Sequence, residues 1–378
     1  MQLKRLFEQK IEILLASKKI LMILGARQVG KTTLIKHILK DKSVQYLNFD
    51  IEIDKQKFLS ASTLDPKQIK AYFGNPDFLI LDEAQKIFQT GQIVKGWYDV
   101  DIPIKIILLG SSSLDLLNQA AESLTGRNEK IFLTPLLFRE VINSEPWFSS
   151  VLSLKKIEEN FNPQIQTALQ QSLVFGNYPE VILSSDKGSL LLNLASDYLY
   201  KDIMQLGLIK TPDLLKKLLM LLAHQIGSEV SISELSKSSG ISRTTIERYL
   251  HILEQTFVIF RLPAFSNNQR KEISKNQKIY FWDTGIRNAI LNDFSENIHR
   301  SDVGKLWENW VIAEFAKENM FDGQNKNLYF WRSRTGSEVD LIVKENENIE
   351  AYEIKWKEQN IKNKSFEDAY GVKVKLID

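Results

Sequence analysis

Cysteine is absent from the 378 residues of this chain. That removes disulfides, thiolate zinc sites, iron–sulfur ligation and cysteine nucleophiles, and it fits a reducing compartment. Histidine is scarce. His37, His224, His251 and His299 are scattered without ligand spacing, and no chemistry is assigned to them. Long apolar runs are missing as well, and none approaches the ~18 residues that span a bilayer. Lys4 and Arg5 precede an apolar stretch, Ile20–Leu24, that is too short for a signal core and reads as a buried strand. A cytoplasmic protein without a membrane partner is expected. Neither sign of charge is in excess, because the formal net charge is +2. A nucleic-acid surface would therefore be a local patch and not a global field. Internal repeats and long low-complexity segments are lacking.

The composition is 43% hydrophobic and 25% charged, which suits a soluble globular chain of two or three domains. Short apolar runs at Ile20–Leu24, Val44–Asn48, Phe78–Leu81, Ile104–Leu109 and Lys130–Leu133 alternate with helical segments. Runs of this kind predict strands buried on both faces of a parallel sheet, joined by crossover helices: an α/β fold. After Pro135 the texture changes. Residues 150–225 read as helical, with Leu-rich periodicity from Leu214 to Leu222. Short helices and a β element follow to about residue 292. The chain ends in a helix near Gly304–Met320 and strands within Asn327–Trp356, with polar joints expected at Ser266–Lys278 and Asn292–Asp302.

Gly25-Ala26-Arg27-Gln28-Val29-Gly30-Lys31-Thr32 fits the phosphate-loop pattern at every position, with a strand before it and a helix from Thr33 after it. Glycines let the backbone approach phosphates, and N–H groups at the helix start supply positive partial charge. Contacts to ATP are expected from Gly25 through Thr33, with Lys31 on the β/γ-phosphates and the Thr32 hydroxyl on Mg²⁺. Phe78–Leu81 delivers Asp82 and Glu83 to the edge of the sheet where ligands sit. Asp82 is expected to hold Mg²⁺, and Glu83 to polarise the attacking water. Ile104–Leu109 runs into Gly110-Ser111-Ser112-Ser113, which places Ser111 or Ser112 as a γ-phosphate sensor or as a helix cap.

The stretches GARQVGKTTL, FLILDEAQ, LLGSSSLDLL, AESLTGR, LTPLLFRE, GNYPEV, YKDI, SEVDLIV and YEIK cover most of the chain. In these the sequence resembles prokaryotic AAA-type P-loop ATPases that end in a domain of unknown function similar to a PD-(D/E)XK nuclease. The resemblance implies an AAA-type parallel-sheet core over residues 1–150 and a helical lid over 151–225. It further implies a winged helix-turn-helix over 226–295 and an α+β, restriction-endonuclease-like domain over 296–378. It also matches Arg127 to an arginine such ATPases place near the γ-phosphate, where it stabilises transition-state charge in cis or in trans. A plain surface arginine is the other reading.

Ser233–Ser238, a turn at Gly240 and Arg243–Gln255 form a helix-turn-helix pattern with an apolar seam of Leu235, Ile241, Ile246, Leu250 and Leu253. The second helix presents Arg243, Thr244 and Arg248, which suit a major groove, although such units also serve as packing modules. Near the C-terminus, alternation puts Glu353 and Lys355 on one face of a strand beside that of Asp340. This is a metal-nuclease layout, with Asp340 and Glu353 for Mg²⁺, Lys355 for water or phosphate, and Glu308 matching the acid of the first helix in that fold. The same acids also fit a nuclease fold without its chemistry, or a hairpin with paired surface charges. The sequence thus points to a Mg²⁺-dependent ATPase coupled to a DNA-binding or nuclease-like region. Its expected partners are ATP, double-stranded DNA, and a protein partner or further copies of itself. The alternative is a nucleotide-gated regulator whose nuclease-like fold is silent.

Overall fold

The computed structural model describes residues 3–110, 124–148, 154–196, 212–266, 277–297, 300–333, 336–357 and 363–378. They form two compact units. One is Lys4–Thr134 with Gln255–Phe257; the other is Pro135–Glu254 and Val258–Asp378, with Leu3.

The first unit is built on a parallel five-stranded sheet in the order β2-β3-β4-β1-β5. Its strands are β1 (Ile20–Leu24), β2 (Val44–Asn48), β3 (Phe78–Asp82), β4 (Lys105–Gly110) and β5 (Asn128–Phe132). Helices α1 (Phe7–Leu15), α2 (Lys31–Ile38), α3 (Glu52–Ala61), α4 (Pro66–Tyr72) and α5 (Thr90–Asp99) lie between or before them. β1 is flanked by β4 and β5, and every one of its side chains is buried, as expected of an apolar strand covered on both faces. An aromatic cluster anchors the helices to the sheet. Phe58 meets Phe49 at 5.0 Å and Trp97 at 5.3 Å between ring centroids. Register fixes which loops share an edge: Leu24 lies opposite Gly110, and Asn48 opposite Asp82. The chain after β1, after β3 and after β4 therefore leaves from the same end of the sheet. β5 begins two residues before the expected Lys130, because Asn128 already pairs with Ile20.

The second unit opens with helices α6 (Phe138–Asn143), α7 (Leu154–Phe175), α8 (Pro179–Leu183), α9 (Lys187–Leu194) and α10 (Pro212–His224). The α7 helix is broken at Phe161, two residues before Pro163, where the proline ring and its missing N–H disturb the preceding turn. Then come β6 (Glu229–Val230), α11 (Ile232–Ser239), α12 (Arg243–Gln255), β7 (Ile259–Leu262), β8 (Gln277–Phe281) and α13 (Thr284–Leu291). Gly240, with φ of +77°, ends α11, and all five expected seam residues are buried. The strands form an antiparallel sheet in the order β6-β8-β7. Asp283 caps α13 by accepting from the Ile286 N–H, and it also accepts from the Asn177 N–H at 2.7 Å. A Cβ on Gly176 would lie 1.9 Å from that carboxylate, so the GNYPEV stretch is glycine-first for a packing reason.

The chain ends in α14 (Val303–Phe321), β9 (Asn327–Arg332), β10 (Glu338–Glu345), β11 (Asn348–Ile354), α15 (Lys364–Tyr370) and β12 (Val374–Ile377). Their sheet runs β12-β11-β10-β9, antiparallel except for the parallel β11 and β12. The expected joint at Asn292–Asp302 is held by charge: Asp302 accepts from Arg287 at 2.6 Å, and Arg300 reaches Asp293 at 2.9 Å. The three- and four-stranded sheets meet where the Phe265 N–H donates to the Phe330 carbonyl and the Phe330 N–H to that of Pro263. Among the described residues, no helix is long and apolar enough to cross a membrane.

Candidate active site

The phosphate loop lies between β1 and α2. Gly25 has φ of +148°, and a Cβ there would lie 1.9 Å from the Leu133 carbonyl oxygen, so the loop and the end of β5 touch backbone to backbone. Gly30, with φ of +91°, turns the chain into α2. Both positions require a residue that tolerates positive φ. Ala26 and Val29 are fully buried beneath the loop, while Gln28 and Thr33 face outward and Arg27 is half-buried. The Lys31 ammonium folds inward and donates to the carbonyls of Gly25 at 2.9 Å and Ala26 at 2.7 Å. Burial lowers its pKa to about 8, against the opposing pull of Glu83 and Asp82.

Asp82 meets this loop across the sheet edge. Its Oδ2 accepts from the Thr32 hydroxyl at 2.7 Å and from the Tyr46 hydroxyl at 2.6 Å, and its Oδ1 accepts from the Glu83 N–H at 2.9 Å. Burial, followed by the hydrogen bond to Asp82, raises Tyr46 far above the ordinary phenol range, so it stays a donor. Glu83 has a left-handed backbone, φ +51°, and its Oε2 accepts from the Gln85 side-chain amide at 2.5 Å. Thr32 and Asp82 offer a hydroxyl and a carboxylate side by side, hard oxygen donors that fit Mg²⁺ with phosphate and water completing its shell.

Sequence reasoning missed three supports of this site. Tyr46 and Gln85 hold the two acids. Arg5, read only as a charge before a short apolar run, is buried and donates to the carbonyls of Val29 at 3.2 Å and Thr134 at 2.8 Å. No local pattern marks Tyr46 or Arg5, whereas Gln85 closes the FLILDEAQ stretch without having been given a role. Arg127 is not brought to this edge. Its carbonyl accepts from the Ile20 N–H at the opposite end of β1, and its guanidinium pairs with Asp99 at 2.6 Å. Ser111 and Ser112 lie outside the described residues.

The C-terminal acids come together in the second unit with partners the sequence did not suggest. Lys278, on β8, is 1% exposed. Its ammonium lies 3.1 Å from Glu308 Oε1, 2.5 Å from Glu338 Oε1 and 4.0 Å from Asp340 Oδ1. The Tyr280 hydroxyl donates to the same Glu308 oxygen at 2.6 Å. Asp340 Oδ2 accepts from the Ile354 N–H at 2.9 Å and lies 3.4 Å from Lys355. Glu353 takes Lys355 at 2.6 Å on one oxygen and the Asn363 amide at 2.8 Å on the other. Glu308, Asp340, Glu353 and Lys355 thus lie in one network of internal ion pairs and hydrogen bonds. Among the described residues, no group of three or more histidines and acids is arranged to hold a metal ion. On α12, Arg243, Thr244, Glu247 and Arg248 are all exposed.

Residues 17–142 match the family described as AAA domain. Residues 166–297 and 303–376 match two domains of unknown function, DUF8612 and DUF4143. An uncharacterized protein of Mycobacterium tuberculosis is 28% identical over 344 residues, which is 89% of this chain and 70% of that protein. One from Methanocaldococcus jannaschii is 29% identical over 357 residues, 90% of this chain and 75% of that protein. Among solved structures, a Walker-type ATPase of Pyrococcus abyssi gives a TM-score of 0.48 at 15% identity, over 77% of this chain and 96% of its own. The family match and the parallel sheet with its phosphate loop agree on an AAA-type P-loop ATPase fold for residues 17–142.

Proposed function

We propose that the chain binds ATP with Mg²⁺ and hydrolyses it, and that the nucleotide state governs the region after Pro135. The observation that carries this reading is the Thr32 hydroxyl on the Asp82 carboxylate at 2.7 Å, which joins the phosphate loop to the acidic strand end. On binding, Lys31 would leave the Gly25 and Ala26 carbonyls for the β/γ-phosphates, and the N–H groups from Gln28 to Thr33 would cradle them. Thr32 and Asp82 would hold Mg²⁺, whose charge offsets that developing on the phosphoryl oxygens. Glu83, steadied by Gln85, would accept the proton of the attacking water. Ser111 or Ser112 would sense the γ-phosphate. Arg127, at the far end of the sheet, could reach a γ-phosphate only in a neighbouring copy.

For the rest of the chain we carry forward a lid over 151–225, a winged helix over 226–295 and a nuclease-like domain over 296–378. The α11–α12 pair followed by a small antiparallel sheet supports the winged helix. A helix, three antiparallel strands, a helix and a parallel strand support the nuclease-like fold. DNA contact is assigned to Arg243, Thr244 and Arg248. Lys278 among the acids favours the second reading, in which that fold recognises without cutting. The test is ATP turnover and nucleotide binding by two variants. Lys31→Ala should lose binding, and Glu83→Gln should bind ATP and turn over at least ~100-fold more slowly. Normal turnover by either variant overturns the assignment.

A further inference from the structure

We infer that the Lys278 ammonium is the resident cation of the acid cluster formed by Glu308, Glu338 and Asp340, standing where a divalent metal would otherwise bind and keeping the cleft metal-free. The inference rests on the nuclease-like reading of the C-terminal fold and adds to it what sits in the site.

Geometry carries it. Lys278 is on β8, not on the C-terminal sheet, and it enters the cluster from the neighbouring three-stranded sheet. It is the deepest member, with a 2% exposed side chain against 14% for Glu308, 30% for Glu338 and 8% for Asp340. The Phe330 ring lies 5.4 Å from its ammonium and adds cation–π attraction. A buried ammonium persists when surrounding carboxylates and hydrogen bonds replace its hydration, and three carboxylates face this one.

Other donors hold the acids in position around the ammonium. Glu308 Oε1 takes both Lys278 and Tyr280. Its other oxygen lies against Gly227, where a Cβ would come within 3.0 Å. Asp340 Oδ2 and both oxygens of Glu353 are engaged by Ile354, Lys355 and Asn363. A cleft of about 400 Å³ lined by Lys305, Glu308, Lys355, Trp356 and Lys357 reaches the cluster at Glu308. What excludes a divalent ion is the charge already in place.

The test is binding of Mn²⁺ alone to the full, nucleotide-free chain, followed by electron paramagnetic resonance. It compares wild type, Asp340→Asn, Lys278→Met and the Lys278→Met/Asp340→Asn pair. Wild type and Asp340→Asn should bind alike, because the cluster contributes no site. Lys278→Met should gain about one Mn²⁺ per chain, and the double variant should lose it. Lys278→Met should also melt below wild type and be restored by Mn²⁺, since a ligand that binds only the folded state stabilises it. Wild-type Mn²⁺ binding that Asp340→Asn abolishes would overturn the lysine proposal and leave the nuclease-like reading standing. No gain in folded Lys278→Met would sink both. If Lys278→Met does not fold, Lys278→Gln takes its place, and the wild-type comparison decides independently.

Discussion

Asp82 is a residue with three donors. Two of its hydrogen bonds come from side chains far apart in sequence, Thr32 and Tyr46, and one from the N–H of Glu83. The proposed metal would compete for the oxygen that the hydroxyls share, so Tyr46 sets which way the carboxylate faces before nucleotide arrives. Removing one hydrogen bond to a charged group is worth about 1.5–3 kcal/mol. Tyr46→Phe is therefore expected to raise the Mg²⁺ concentration for half-maximal ATP turnover about tenfold while kcat stays within a few-fold. Mg²⁺ titration of steady-state hydrolysis checks this, and an unchanged Mg²⁺ requirement would count against a positioning role. The phosphate loop was legible because eight consecutive positions carry one mechanism. Tyr46 was not, because a tyrosine in Val-Gln-Tyr-Leu-Asn reads as an ordinary strand residue. Its partner lies 36 positions away, and only the parallel pairing of β2 with β3 brings the two together.

Elements fared differently according to how local their signals are. The α12 helix is periodic on its own. Ile246, Leu250 and Leu253 were read as its seam and are buried, while Arg243 and Arg248 remain outside. Stability and recognition should therefore separate on this helix. Leu250→Ala is expected to cost about 2–5 kcal/mol, whereas Arg243→Ala should stay within about 0.5 kcal/mol of wild type, both by urea or thermal unfolding. Equal losses would mean that the exposed face is structural. The β8 strand gave no such signal. Lys278 stood at the edge of what read as a polar joint, and a lysine in Gln-Lys-Ile-Tyr-Phe fits a half-exposed strand. Its burial follows from acids on α14 and β10, which no window around residue 278 contains.

For the whole molecule, the balance of 49 basic and 47 acidic residues leaves no global field to draw in a polyanion. Duplex binding through α12 would depend on a few side chains and show a shallow salt dependence. Replacing Arg243 and Arg248 together with alanine should flatten the slope of log K against log salt by about 1.8, near 0.9 for each phosphate no longer neutralised. Fluorescence anisotropy with a labelled duplex at several salt concentrations reads this slope. An unchanged slope would return α12 to a packing role and leave the regulator reading ahead.

The cation of the acid cluster belongs to a different stretch of chain from the acids it serves. A fragment cut out at a natural-looking boundary near residue 300 would carry Glu308, Glu338 and Asp340 away from Lys278. Such a piece would keep Arg332 near Glu338 and Lys355 near Asp340 but lose the one ammonium that all three acids share. On the lysine proposal it would bind a divalent metal more readily than the intact chain. Dissection, the usual route to assigning a terminal domain, would here manufacture the property it set out to measure.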